Sequence, residues 1–386
     1  MATHSLLLLQ TTVGLVATTL VLAHVSAIVR ADCPDDSRRE SNCAMAATEG
    51  TTMRAVVVSG KGGVDVMSVA SDVPLPTLKG PNDVLFRVHA TSVNRLDLMQ
   101  RKGVAPVPPG ASEILGVEAA GEVVAVGESV TMWKAGDRIM CLLSGGGYAE
   151  YTVVHEGSCL PVPERMSFTE AAATVETFLT AFQSLRINAN TQRGDKVLIH
   201  AGASGVGTAA AQLCKHVIGA VSVTTSSEGK VAECAKFADH AVSRTKDEAT
   251  GSIFAAKVAA AVGANQINVV IDPVFGGGYL QEDAEVIAPD GRIVILAFMG
   301  GAAIPDFNAM SLFRKRADLK FSTLRSQPAA YKANLVARFK AEAYDALVAG
   351  TIGPVVQHVL PLAEVQKAHT LLEENNTVGK VVMTLA

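Results

Sequence analysis

The chain has 386 residues, 49% of them apolar and only 18% charged, which excludes a disordered chain and a highly charged coiled coil. Its 33 basic and 37 acidic residues leave a net charge of -4 with neither sign gathered in a long block, which argues against nucleic acid as a partner. Six Cys at 33, 43, 141, 159, 214 and 234 contain no CxxC pair, so a zinc ribbon and a thioredoxin-like site are excluded on spacing.

Residues 6–29 form an uncharged run long enough to span a bilayer as a helix. No Lys or Arg precedes it, so the basic start of a secretory signal and the Arg-rich pattern of a mitochondrial transit peptide are both missing. Met53 opens the first regular strand pattern. Residues 1–52 are therefore expected to be an extension, either a signal or anchor segment or a stretch the working protein lacks. The body is expected in the cytoplasm, with membrane anchoring or the secretory pathway as the alternative if residues 6–29 are retained.

From Arg54 to about Leu160, short β-rich runs such as RAVVVSG, DVLFRVHATSV and GEVVAVG alternate with Gly and Pro, which predicts an all-β region. From about Glu170, Ala-rich helical stretches separate six apolar strand candidates: KVLIHA (196–201), AVSVTT (220–225), HAVSR (240–244), NVVIDPV (268–274), GRIVILAF (291–298) and DLKFSTL (318–324). Runs apolar on both faces at this spacing predict an α/β fold with a doubly wound six-stranded parallel sheet. The last stretch holds helix and strand patterns ending in GKVVMTL and is expected to return to the first domain.

The strand KVLIHA runs into Gly202, Ala203, Ser204, Gly205, Val206 and Gly207 and then into a helical pattern. Gly202 permits the tight turn, a small residue at Ser204 lets backbone approach a pyrophosphate, and Gly207 lets helix and strand pack closely. The N–H groups at that helix start would face the phosphates, so the turn predicts dinucleotide binding. An NAD enzyme carries an Asp or Glu at the end of the second strand; this strand ends Thr224-Thr225-Ser226-Ser227. Ser227 and Lys230 can offer a hydroxyl and a cation to a 2′-phosphate, and Arg244 after the third strand a second cation. The cofactor expected is NADPH.

These residues carry a resemblance. SVNRLDLMQRKG (92–103), PPGASEILGVEAAGEVVAVG (108–127), FLTAFQSL (178–185), HAGASGVGTAAAQL (200–213) and GKVV (379–382) are similar to the zinc-independent quinone oxidoreductase branch, zeta-crystallin-like, of the medium-chain dehydrogenase/reductase superfamily. The likeness spans Met53 to Ala386. It implies a GroES-like catalytic domain over 53–175, a Rossmann domain over 176–325 and a C-terminal return over 326–386. Zinc-dependent members of the superfamily place a Cys where this chain has Asn94 and a His where it has Val117, between Gly116 and Glu118. A Cys-rich structural zinc loop is also missing, and the resemblance implies a metal-free site. Where family members often carry a substrate-side Tyr, this chain has Val104 and Ala105.

Further implications follow from the resemblance. Asn94 and Thr180 would lie beside the nicotinamide, Phe298, Met299 and Leu324 would supply apolar walls, and Lys380 would reach the cofactor from the closing segment. Tyr148 is expected to pack in its strand, His200 to be a satisfied core residue and Glu118 a hydrogen-bonding one. The expected activity is reduction of quinones by hydride transfer from NADPH; an enone or alkenal reductase, or a non-catalytic NADPH-binding protein, remains the alternative. The resemblance implies a homodimer, since family members pair the outer strand of the Rossmann sheet, here DLKFSTL, and an apolar unpaired sheet edge is a liability.

Overall fold

The computed structural model describes residues 51–304 and 306–385. The apolar run at 6–29 lies outside them. Among the described residues, no helix is long and apolar enough to cross a membrane.

The β-rich part begins with β1 (Thr52–Val58) and β2 (Met67–Pro74), which pair antiparallel. It continues with β3 (Asp83–Ser92), helix α1 (Arg95–Arg101), β4 (Glu118–Val126), β5 (Arg138–Leu142), β6 (Tyr151–His155) and β7 (Cys159–Pro161). The expectation of an all-β region therefore misses α1. The cause is local: Asp97 at the third helical position takes the Asn94 N–H and satisfies a donor the first turn would leave orphaned. β3 is the hub, paired with β4 and β6. At Gly121 on β4 a Cβ would stand 1.8 Å from the Arg87 carbonyl oxygen, so only glycine lets these two strands approach.

Helix α2 (Val175–Phe182) leads into the second sheet, in which β8 (Lys196–Ile199) is followed by α3 (Gly205–Leu213), β9 (Val221–Ser226), β10 (His240–Ser243) and β11 (Ile267–Asp272). After α4 (Tyr279–Val286) come β12 (Ile287–Ile295) and β13 (Asp318–Phe321). The strand order is β10-β9-β8-β11-β12-β13, all parallel, and all six strand candidates are present. The central strands are buried on both faces, as a sheet covered by helices on each side requires: Val197, Leu198, Val269 and Val270 have no exposure. The order reverses between β8 and β11, which opens the crevice where such sheets bind ligands.

Helix α5 (Ala329–Glu342), β14 (Val356–Pro361), α6 (Val365–Glu373) and β15 (Lys380–Thr384) close the chain. β15 lies antiparallel to β3 and parallel to β14, extending the first domain's sheet to seven strands. Its first residues also touch the second sheet's ligand turn, since the Gly379 N–H donates to the Ala203 carbonyl (2.8 Å).

Candidate active site

The site is built where α1, β4, α2 and β15 meet. Because Asp97 satisfies the Asn94 backbone (2.8 Å), the Asn94 side chain is free to turn inward. Its Nδ2 donates to Glu118 Oε1 (2.9 Å), and its Oδ1 accepts from Lys380 Nζ (2.6 Å). Lys380 Nζ also lies 2.9 Å from Glu118 Oε1 and donates to the Val93 carbonyl (3.1 Å). Glu118 further accepts from the Ser92 hydroxyl and, through Oε2, from the Glu176 N–H (2.9 Å). Both carboxylate oxygens are thus occupied by donors in a fully buried position. That satisfies the charge which burial would otherwise penalise.

Helix α2 supplies Glu176 and, one turn on, Thr180, whose hydroxyl donates to Glu176 Oε1 (3.0 Å). Both are partly exposed. Burial of the Glu176 carboxyl, with Glu118 and Asp97 nearby, pushes its pKa up to about 7 against the opposing pull of Lys380 and Thr180. Asp97, fully buried, is raised to about 6 by desolvation. Behind it the Tyr148 hydroxyl donates to Asp97 Oδ2 (3.2 Å) and lies 3.2 Å from His369 Nε2, while Arg101 reaches His369 Nδ1 (3.1 Å) and Glu373 (2.5 Å). Tyr148 lies in the turn before β6 and not in a strand as expected; it is fully buried there and its hydroxyl also bonds.

The glycine-rich turn follows β8. Ala201 adopts φ +52°, a left-handed conformation unusual for alanine, and Ser204 accepts the Gly207 N–H on its hydroxyl (3.0 Å), capping α3. The amides of Gly205 and Val206 have no protein acceptor among the described residues. A Cβ at Gly202 would stand 2.5 Å from Thr224 Cβ, one at Gly205 2.6 Å from Lys380 Cδ, and one at Gly207 2.4 Å from the Ala201 carbonyl. The cradle of unpaired amides at a helix start fits a pyrophosphate.

Ser227 starts the turn after β9, and Lys230 at its end donates to the Asn375 carbonyl and to the Thr377 carbonyl (2.9 Å). Arg95, which bonds the Asn375 side chain, and Arg244, which stands beside the Tyr279 hydroxyl, are near enough to Lys230 to depress its ammonium, though desolvation is the larger cause. Three cations thus share one neighbourhood, and the end of β9 presents no carboxylate, an arrangement that fits a 2′-phosphate.

Lys380 joins Asn94 directly, Thr180 joins them through Glu176 and Glu118, and Gly205 abuts the Lys380 stem. Phe298 and Met299 sit half-exposed after β12, where Phe298 joins an aromatic cluster with Phe275 and Phe321 (centroids 5.2 and 6.0 Å). Leu324 is buried in the core around α2. Ala105 lines an open cleft of about 630 Å³ together with Gln100, Gly103 and Pro106. Glu176 and Asp97 were absent from the sequence-derived site. The four-residue spacing of Glu176 and Thr180 on one helical face is a signal that could have found the former.

Residues 80–164 match the alcohol dehydrogenase GroES-like domain and residues 237–383 the zinc-binding dehydrogenase family. A quinone oxidoreductase of Lama guanicoe is 30% identical over 341 residues, covering 88% of this chain and 99% of that protein. A solved NAD-dependent alcohol dehydrogenase is 31% identical with a TM-score of 0.74, covering 86% of this chain and 100% of its own. A mycobacterial protein solved in complex with NADPH is 28% identical with a TM-score of 0.75, at 86% and 100% coverage. The zinc implied by the second family's name does not fit the donors present. Asn94 and Val117 offer no thiolate or imidazole, Glu118 is saturated, and among the described residues no group of three His, Cys, Asp or Glu gathers as ligands.

Proposed function

Because the chain belongs to the zinc-independent quinone oxidoreductase branch of the medium-chain dehydrogenase/reductase superfamily, we propose that it reduces quinones with NADPH by hydride transfer that requires no metal. The observation that carries this reading is the Lys380–Glu118–Asn94 cluster, a closed set of protein partners where zinc-dependent members of the superfamily hold their ion.

When bound, NADPH supplies two electrons and a proton as hydride. The turn from Gly202 through Ser204, Gly205, Val206 and Gly207 holds the pyrophosphate on backbone amides. Ser227, Lys230 and Arg244 hold the 2′-phosphate. Lys380 fixes Asn94, which with Thr180 orients the nicotinamide, and Phe298, Met299 and Leu324 exclude water from its face. A quinone becomes an aromatic hydroquinone on reduction, so alignment supplies most of what the reaction needs. Two copies pair along β13. The outermost strand's four residues are all exposed, Phe321 by 56%, and this supports the pairing.

The test is NADPH oxidation by the full chain with an ortho-quinone, a para-quinone and an enone as acceptors and NADH as the alternative donor. Faster turnover of quinones, with NADPH preferred, is expected. Turnover of enones alone moves the reading to an enone reductase, and NADPH binding without turnover of any acceptor overturns it in favour of a binding protein.

A further inference from the structure

Two carboxylates adjoin in this site, and one ammonium serves them. Lys380 Nζ sits 2.9 Å from Glu118 Oε1, and Glu118 also receives Asn94, Ser92 and the Glu176 amide. The Glu176 carboxyl, by contrast, has the Thr180 hydroxyl as its hydrogen-bond partner and no cation paired with it among the described residues. Glu118 has no exposure, whereas Glu176 and Thr180 both reach partial exposure on the same face of α2. Thr177 on the same helix abuts the phosphate turn, within 2.8 Å of the position a Gly205 Cβ would take. We propose that Glu176 is the proton source of the reaction and delivers its proton through the Thr180 hydroxyl to the oxygen of the reduced acceptor. This rests on the oxidoreductase reading above.

The step balances as follows. The acceptor gains hydride, two electrons and one proton, from a reduced nicotinamide dinucleotide and is left with an oxyanion. With Glu176 protonated its O–H donates to the Thr180 oxygen across the 3.0 Å contact, the reverse of the direction with the carboxylate, which frees the Thr180 hydrogen for the acceptor. The Thr180 O–H bond then breaks as the acceptor's O–H bond forms, and the Glu176 O–H bond breaks as that of Thr180 is remade. Glu176 ends as a carboxylate, and its partial exposure lets water return the proton. The charged groups facing Glu176 are Glu118 from β4, Asp97 from α1 and Lys380 from β15. With burial they bring its acid to about 7, within the range in which a donor can both give and regain a proton near neutrality.

Full-length wild type, Glu176→Gln, Glu176→Asp and Thr180→Val are compared in two readouts. The first is the infrared carbonyl band of a protonated carboxylic acid, followed through the pH range around 7. The second is the pH profile of kcat/KM with NADPH and each acceptor. In wild type the band fades as pH rises through about 7, and kcat/KM falls over the same range. Glu176→Gln loses the component of the band that fades around pH 7, leaving those of Asp97 and Asp272 that fade near 6, lacks the falling limb, and lies about 100-fold lower on the acid side. Glu176→Asp restores a falling limb. Thr180→Val keeps the band and loses the rate. A Glu176→Gln profile that retains the wild-type limb overturns the relay and leaves the oxidoreductase reading standing. Wild type that turns over no acceptor overturns both.

Discussion

The Lys380 ammonium and the Glu118 carboxylate, from strands at opposite ends of the folded body's sequence, lie 2.9 Å apart and out of solvent. The pair does two jobs. It neutralises a charge inside the sheet, and through the bond from Lys380 to Asn94 Oδ1 it locks an amide that backbone capping alone would leave free to rotate.

Breaking this pair on one side leaves a buried charge uncompensated. Lys380→Met is expected to cost about 3 to 5 kcal/mol of stability. Lys380→Met combined with Glu118→Gln should recover much of that, giving a strong coupling in a double-mutant cycle read by urea denaturation. Additive losses would mean that the two side chains act independently.

The phosphate turn tolerates no side chain at Gly207, where a Cβ would stand 2.4 Å from the Ala201 carbonyl. Gly207→Ala must push α3 away from β8, so NADPH affinity should fall by tenfold or more, about 1.4 kcal/mol, with a lower melting temperature. Fluorescence titration and thermal melts check both effects. Unchanged affinity would exclude the turn as the phosphate site.

The second sheet was legible because each element carries its own local signal: two-faced apolar strands, a glycine turn, Ala-rich helices. The strand-turn-helix context of Gly202 to Gly207 is such a signal, and so is the missing carboxylate after β9. The polar network was not legible, because its members are joined only by folding. Asp97, Glu118, Glu176, His369 and Lys380 come from five separate elements and Tyr148 from the turn before β6, and no spacing in the chain links them. Tyr148, three residues before Tyr151 in an apolar stretch, reads locally as a packing residue, and only the arrival of Asp97 and His369 reveals what its hydroxyl does. Lys230 shows the reverse: its place in the turn after β9 is local, but its bonds to the 375–377 loop depend on the whole fold.

On the proposed reading Lys230 has two separable duties, holding the 2′-phosphate and tethering the 375–377 loop. Lys230→Ala should weaken NADPH binding about tenfold while leaving NADH binding unchanged, as losing one phosphate contact requires. Isothermal titration with both cofactors decides it. Equal weakening of the two would reduce Lys230 to a tether for the 375–377 loop.

His200 is wedged between Phe254 and Tyr279, with Nδ1 2.9 Å from the Thr225 hydroxyl and Nε2 2.8 Å from Asp283. Burial lowers its pKa from 6.5 to about 4, which keeps the imidazole neutral near pH 7, and pushes that of Asp283 well up. Because the folded value lies below the unfolded one, the stability it contributes is complete above pH 6.5 and is lost as pH falls toward 4. Asp272, raised to about 6 chiefly by burial, acts with the opposite sign, losing stability as pH rises toward 6. His200→Gln should thus lose about 3 kcal/mol less than wild type on acidification from pH 6.5 to 4, measured by denaturant melts. Parallel curves would mean that His200 titrates normally.

Pairing along β13 predicts twice the monomer mass by light scattering. Leu319→Lys with Phe321→Lys should halve it without lowering the melting temperature of the monomer, since both side chains are exposed in the single chain. A wild-type monomer would remove the dimer.

The bond between Lys380 and Asn94 spans 286 residues of chain. Protein synthesis runs in one direction, so every element of the nucleotide sheet has left the ribosome before the lysine that completes the site exists. Such distant closures are the slow ones in folding. A nascent chain can therefore assemble the sheet that binds the dinucleotide while the place for chemistry is still unfinished.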